Sequence, residues 1–250
     1  MKKISIVIPT YNSALTIKKT LKSIFDQTYK NFEVIIVDSY STDGTKKIIK
    51  SFKKKKIKVF NVSKKKKLSY ARYYGIKKAT GSLIAFLDSD DYWDKKKLSI
   101  QSKQIKGYRF CSTGFSLVKD NDKMFFNDYP KFLDLNSLIY ERPIANSSVL
   151  VEKDLIYKIA KKFQNVDYAE DYLWWIIVMK RIKKTLFIKK NLTFIRVMNK
   201  SRTYKNIFKN LNSLNYIYKN ILKLNYLQIF VIYILLIIKN LNKKYFFYFK

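Results

Sequence analysis

Leu83-Ile-Ala-Phe-Leu87-Asp88-Ser89-Asp90-Asp91 decides how the rest of the chain is read, because an apolar run ends directly in three carboxylates. The run is short, unbroken and preceded by Gly81-Ser82, the pattern of a strand covered on both faces, as in a parallel sheet flanked by helices. The acids then lie at the carboxyl end of a strand, the edge where open α/β sheets bind their ligands. Asp88 and Asp90, two residues apart, offer oxygen donors for a hard divalent cation, which such sites share with substrate phosphates. The plain alternative is a capping turn, since Asp is also favoured where a helix starts.

Upstream of this run the same rhythm repeats. Ile4 to Ile8 predicts a strand closed by Pro9, and Ser13 predicts the N-cap of a helix with Ile17, Leu21, Ile24 and Phe25 inward. Phe32 to Val37 predicts a second strand, ending at Asp38, followed by turn residues and a helix carrying Ile48, Ile49 and Phe52. Ile57 to Val62 predicts a third strand and Leu68 to Ala79 a third helix. Alternation at these lengths means βαβ units and a mainly parallel, Rossmann-like sheet, an α/β fold.

Downstream the signals weaken. Lys95 to Lys106 predicts a helix, Phe110 to Val118 a strand, Asp120 to Asn136 loops, and Glu152 to Lys162 and Glu170 to Lys183 two helices. Trp174-Trp175 runs into Ile176, Ile177 and Val178, so core packing is favoured over a sugar platform.

Composition narrows the chemistry. The 250 residues contain no histidine and one cysteine, Cys111, which excludes a Ser/His or Cys/His nucleophile pair, a His-ligated zinc site and an internal disulfide. Any general base is therefore Asp, Glu, Lys or Tyr. The lone cysteine and the absence of a signal-peptide pattern predict a cytoplasmic protein. The formal net charge is +34. Part of it fits the Lys, Asn, Ile, Tyr and Phe bias of AT-rich coding. Its placement still carries information, because no acid follows Asp171, and so one-signed a third attracts phosphate-rich partners or an anionic membrane face.

The last fifty residues, 201–250, read as a basic helical extension. Ile207, Leu211, Leu214, Tyr218 and Ile221 fall on one helical face between Tyr204 and Lys223, with Lys205, Lys209, Lys219 and Lys223 on the other. Leu227 to Ile238 is apolar nearly all round, yet as a helix it reaches only about 18 Å of a roughly 30 Å hydrocarbon core. Two readings stand: docking on the membrane surface, or packing on the domain or on a second copy as a homodimer.

Several of these segments together resemble the family 2 glycosyltransferases, nucleotide-sugar-dependent enzymes of the fold called GT-A. The resemblance rests on Ser5-Ile-Val-Ile-Pro9-Thr10-Tyr11-Asn12, on Val34-Ile-Ile-Val-Asp38 with Ser41-Thr-Asp43-Gly44-Thr45, on Ala71-Arg72 with Gly75 and Ala79-Thr-Gly81, and on Phe86-Leu-Asp88-Ser89-Asp90-Asp91. Glu170-Asp171 and Arg196 with Ser201 look like the family's acid pair and late basic motif. It implies a GT-A domain over 1–200, with 1–94 the nucleotide-sugar half and 95–200 the acceptor and catalytic half. Donor binding is implied for Pro9, Thr10, Tyr11, Asn12, Asp38, Arg72, Asp88, Ser89, Asp90 and Arg196. Within that set, Asp38 would take the base, Asp90 with Asp88 would hold Mn²⁺ or Mg²⁺, and Arg196, helped by Lys200, would close over the diphosphate. Asp171, beside Glu170, is implied as the base of an inverting transfer. Asp91 and Asn146-Ser147-Ser148 are implied to lie beside the acceptor.

The sequence departs from the family in having Tyr73 where Asn often follows the Arg, and Ser39 where an acid is frequent. No Q-x-x-R-W follows Asp171, which favours transfer of one sugar over polymerisation. The resemblance thus implies transfer from a nucleoside-diphosphate sugar, a UDP-sugar favoured, to a glycan or polyprenyl-linked acceptor of the bacterial surface, by an enzyme peripheral on the inner face of the membrane. The competing reading from charge alone is a basic nucleic-acid- or membrane-binding protein without catalysis; the lysines form no nucleic-acid recognition motif, and the acids gather where a phosphate chain would be repelled. A sugar-phosphate nucleotidyltransferase would need a glycine-rich phosphate loop that the first strand lacks.

Overall fold

The computed structural model describes residues 2–52, 56–119, 122–197 and 207–242. Strands β1 (Ile4–Thr10), β2 (Phe32–Asp38), β3 (Ile57–Asn61) and β4 (Leu83–Phe86) pair in parallel in the order β3-β2-β1-β4. Helices α1 (Ile17–Phe25), α2 (Thr45–Ser51) and α3 (Leu68–Lys78) connect them. Period-two alternation along β1 sends Ile4, Ile6 and Ile8 to one core with Leu21 and Ile24 of α1. Val7 goes to the other core with Ala71 and Ile76 of α3. Each fully buried Ile or Val contributes about 1.5–3 kcal/mol. Gly75 lets α3 lie against β1, since a Cβ there would meet Val7 Cγ1 at 2.4 Å.

The register sets Thr10 beside Asp38 and Ser5 beside Glu33. Glu33 is buried, but it accepts from Ser5 Oγ and from the Thr80 amide and hydroxyl, each at 2.7 Å, and pairs with Lys58 at 2.9 Å. Burial alone would raise its carboxyl; these hydrogen bonds outweigh it and hold the group at about 2.

Beyond β4 the sheet becomes mixed. β9 (Leu150–Glu152) runs antiparallel between β4 and β6 (Phe110–Lys119), and β10 (Lys184–Arg196) pairs with β6 in parallel. Short antiparallel strands complete it: β5 (Tyr92–Trp93) and β8 (Phe132–Asp134) on β10, and β7 (Asp122–Phe126) on β6. Helices α4 (Lys97–Gln104), α5 (Leu135–Glu141), α6 (Lys153–Lys162) and α7 (Glu170–Ile182) cover the faces. Trp174 and Trp175 of α7 are buried against Phe86 and Phe110, which is the core role expected of them.

Two expectations are corrected, and one strand goes unforeseen. Ser13 does not cap α1: Thr16 precedes that helix, and the Ser13 hydroxyl lies 2.7 Å from Ser89 Oγ instead. Within the segment expected to be loops from 120 to 136, β7 and β8 form because the edges of β6 and β10 leave backbone groups for them to pair. The strand β10 carries no expectation at all, its apolar pattern being broken at Lys189-Lys190-Asn191, where the register with β6 shifts.

The C-terminal segment forms α8 (Ile207–Tyr216), a π-helical turn (Ile217–Ile221) and α9 (Tyr226–Asn242). Leu214, Ile217, Tyr218, Ile229 and Ile232 are buried in the same core as the two tryptophans, so one face of the extension packs on the domain. The other face is open: Phe208, Tyr226, Leu227 and Phe230 are 61–80 % exposed. Among the described residues no helix is long and apolar enough to cross a membrane. Tyr204, Lys205, Lys200 and Ser201 lie outside the described residues.

Candidate active site

The carboxyl ends of β1, β2 and β4 open onto a cavity of about 900 Å³. Pro9, Thr10 and Tyr11 line it from β1 and its exit, Ser39 from the end of β2, and Asp88, Ser89 and Asp90 from the end of β4. Lys64 to Lys67 lead into α3 along its margin. Arg142, Ile144, Asp171, Tyr172, and Asn210 and Leu214 of α8 contribute further wall.

Arg72 organises the floor. It is 3 % exposed, and its guanidinium donates through Nη2 to Asp88 Oδ1 at 2.6 Å and through Nη1 to Glu170 Oε1. Burial alone would lower its affinity for a proton, but Asp88, Glu170 and Asp171 outweigh that and raise it. A buried guanidinium is tolerable only when carboxylates compensate it, so the sequence-distant Asp88 and Glu170 are fixed relative to one another by one side chain.

Asp90 is left in a different state. Burial, and then the negative charge of Asp88, push its carboxyl up to about 6. A divalent cation at this place would relieve both effects, and the donors are the hard oxygens that Mg²⁺ or Mn²⁺ takes. Among the described residues no cluster of three or more acids or cysteines could hold a metal alone, so Asp88 and Asp90 fit a cation that completes its shell with phosphate or water oxygens.

Asp91 turns away from the cavity. Its Oδ2 accepts from Ser147 Oγ at 2.5 Å and its Oδ1 from the Arg196 amide at 3.2 Å. Burial, with the charges of Asp90 and Asp88, raises its carboxyl well above the usual range. Asn146, Ser147 and Ser148 form a buried 3₁₀ turn under the Asp88–Asp91 loop, where Ser147 Oγ also accepts from the Asp88 amide at 3.2 Å. Asp91, Asn146, Ser147 and Ser148, expected beside the acceptor, are all buried under this loop, and none of the four is on the cavity wall.

Arg196 lies against the same loop. Its Nε donates to the Asp90 carbonyl and its Nη2 to the Thr16 carbonyl at 3.1 Å, with the guanidinium 5.6 Å from the Tyr92 ring. Thr20 Oγ1 reaches the carbonyls of Ser89 and Asp91 at 2.9 and 2.7 Å. Arg196 and Thr20 brace the acidic loop from below; the arginine does not close over the cavity. Asp38 and Asn12 are also off the lining. Asp38 is fully buried and accepts from the Ser41 amide and hydroxyl at 2.9 and 2.5 Å, while Asn12 Oδ1 accepts from the Thr42 amide at 2.9 Å. Asp38 ties the 39–43 loop to the end of β2 and Asn12 ties it to the exit of β1, and the wall presents Ser39 in their place.

The two neighbouring acids at the start of α7 both border the cavity, but Glu170 is 4 % exposed and committed to Arg72, whereas Asp171 is half-buried and accepts the Tyr172 amide at 2.8 Å. Ala169, with φ 53°, makes the turn that presents them. One acid thus holds the floor and the other is the more open of the two.

A sequence profile described as "Glycosyl transferase family 2" matches residues 5–156, well over half of the chain. The chain belongs to glycosyl transferase family 2. This family 2 glycosyltransferase is 29% identical over 206 residues to "Putative teichuronic acid biosynthesis glycosyltransferase TuaG" of Bacillus subtilis, which covers 79% of this chain and 80% of that protein. It is 34% identical over 185 residues, 73% of each chain, to "UDP-Glc:alpha-D-GlcNAc-diphosphoundecaprenol beta-1,3-glucosyltransferase WfaP" of Escherichia coli. The crystal structure of S. aureus TarS 1-349 in complex with UDP matches with a TM-score of 0.68 at 20% identity, over 87% of this chain and 72% of that one, a likeness of fold.

The wall of this glycosyltransferase includes residues that sequence reasoning passed over, Lys64 to Lys67, Arg142, Tyr172 and Asn210, and two it had read otherwise, Ser39 as a departure from the family pattern and Leu214 as part of the extension's apolar face. The run of four lysines was visible as a charge cluster just before α3. Arg142, alone within Tyr140-Glu-Arg142-Pro143, carries no pattern to find it by.

Proposed function

We propose that this glycosyltransferase moves one sugar from a UDP-sugar to a hydroxyl of a lipid-linked glycan of the bacterial surface, inverting the anomeric centre. The observation that carries the reading is the difference between the two acids on the cavity wall: Glu170 is buried and spent on Arg72, while Asp171, in the same cavity as Asp88 and Asp90, is the more open of the two. Asp171 removes the proton of the acceptor hydroxyl as that oxygen bonds to the anomeric carbon and the bond to the nucleoside diphosphate breaks. Pro9, Thr10, Tyr11 and Ser39 receive the nucleoside, Asp88, Ser89 and Asp90 face the donor's sugar and diphosphate, and Lys64 to Lys67 offset the diphosphate charge. Asp90 and Asp88 would hold Mg²⁺ or Mn²⁺, which when bound stabilises charge developing on the leaving diphosphate. The choice of UDP is supported by WfaP and by WfgD of Escherichia coli, both named for UDP-Glc and a diphosphoundecaprenol acceptor.

The open face of α9 supports a place on the membrane. Leu227, Phe230 and Ile237 are more than half exposed on it, and no acid follows Asp171 in the sequence, a charge balance complementary to anionic lipid. The protein then works on the inner, cytoplasmic face.

The test is transfer from a panel of UDP-sugars with Mn²⁺ to N-acetylglucosaminyl diphosphoprenol. Asp171→Asn is expected to lower kcat by about 10²–10⁴-fold while leaving UDP affinity within twofold (about 0.4 kcal/mol). Wild-type turnover by that variant would remove Asp171 from the proton transfer.

A further inference from the structure

Arg142 carries a charge that nothing in the described structure neutralises. It caps the end of α5 in the left-handed region, φ 48°, a conformation that costs a non-glycine residue about 1–2 kcal/mol. Its Nη2 donates to the Tyr218 hydroxyl at 2.7 Å, its guanidinium lies 5.1 Å from the Tyr172 ring, and its Nε is buried without a partner. Both contacts are neutral groups. Among the described residues no carboxylate pairs with it, whereas Arg72 and Arg109 each bind two. A guanidinium cannot shed its proton, and this one, half-buried on the cavity wall, is open to an anion that enters there.

The position says which anion. Arg142 lines the same cavity as Asp171, with Ile144 and Leu214 nearby on the wall, and it is held by Tyr218 of the C-terminal extension. The donor's diphosphate is served by Asp88, Asp90 and Lys64 to Lys67. We propose that Arg142 is an acceptor-phosphate site: it binds a phosphoryl group of the acceptor and so sets the acceptor hydroxyl against Asp171. This rests on the transfer reaction proposed above. The guanidinium's planar array of donors suits charge-assisted contact with phosphate oxygens from the cavity side, and Ile144 and Leu214 suit apolar atoms beyond it. The shared chemistry is a phosphoryl group, whether of a lipid diphosphate or of a soluble phosphorylated glycan.

Calorimetry of full-length protein saturated with UDP and Mg²⁺ tests the site without any sugar transfer. Two probes are used, farnesyl diphosphate and inorganic pyrophosphate. Arg142→Gln is expected to weaken the tighter probe by about tenfold or more, the worth of one charge-assisted contact. Preference of the wild type for farnesyl diphosphate assigns the phosphate to a lipid; equal binding assigns it to a soluble glycan. Unchanged affinity for both probes in Arg142→Gln overturns the proposal. Should that variant not fold, Arg142→Lys replaces it: loss of the fork lowers affinity about threefold or more, and unchanged affinity overturns the proposal equally. In the transfer assay, Arg142→Gln is expected to lower the ratio of kcat/KM for a diphosphoprenyl acceptor to that for the same sugar on a neutral alkyl chain by about tenfold. An unchanged ratio refutes it. Since binding is read apart from turnover, failure at Arg142 and failure at Asp171 are told apart.

Discussion

Glu170 and Asp171 are adjacent and chemically alike, and a single contact separates their roles. Arg72 takes Glu170 out of solvent and leaves Asp171 on the cavity wall. The pair was legible in the sequence as an acid motif, and the family resemblance pointed to Asp171 as the base; that Glu170 is held by Arg72 was not legible, because it depends on a guanidinium about a hundred residues away. Lys97 shows the same limit. It is fully buried, donates to Gln101 Oε1 at 2.7 Å and lies 4.2 Å from the Trp93 ring. Burial lowers its ammonium from 10.5 to about 7. Between those values the unfolded chain holds the proton and the folded chain does not, so this residue makes stability rise with pH, by at most about 1.4 kcal/mol per unit. Below pH 7 both states are charged and the cost of burial is constant. Urea unfolding from pH 7 to 10 is expected to show a shallower rise in Lys97→Met than in the wild type. Parallel slopes would mean that the ammonium is not desolvated.

Elements were legible where one covalent stretch carried its own pattern. β1, β2 and β4 are mostly apolar and buried along their whole length, and each runs into residues that line the site, so strand and motif were read together. β9 has three residues, and β10 is interrupted where its register shifts; their partners, not their patterns, make them strands. The approach to β4 depends on Gly81, where a Cβ would lie 2.6 Å from the Lys3 carbonyl and 2.9 Å from the Ser5 amide. Those are backbone atoms of β1 and its approach, which cannot yield without moving the strand. Gly81→Ala is therefore expected to destabilise the protein by about 1–3 kcal/mol, read as a lower urea midpoint at constant m. A change within experimental error would show that β1 and β4 can shift apart.

At the scale of the molecule, charge and apolar surface act together. The extension was legible as amphipathic; its docking through Leu214, Tyr218 and Ile232 was not, since amphipathicity does not name the surface it meets. Leu227→Glu with Phe230→Glu changes only exposed positions on α9. This pair is expected to abolish flotation with phosphatidylglycerol vesicles while leaving the melting temperature within a few degrees, as exposed substitutions do. Equal flotation of variant and wild type would exclude α9 as the contact, and a shift from dimer to monomer in solution would assign its open face to a second copy.

Because Ile217, Tyr218 and Ile232 lie in one core with Trp174 and Trp175, and Tyr218 also holds Arg142, anchor and catalyst are not separable modules. A protease that clipped the chain before α8 would not release a working soluble enzyme; it would uncover the tryptophan core and unlatch the acceptor wall. Under the membrane role proposed above, residence there is written into the conformational stability of the enzyme, and a cell that needed to withdraw this activity would have to destroy the protein or remove its substrates.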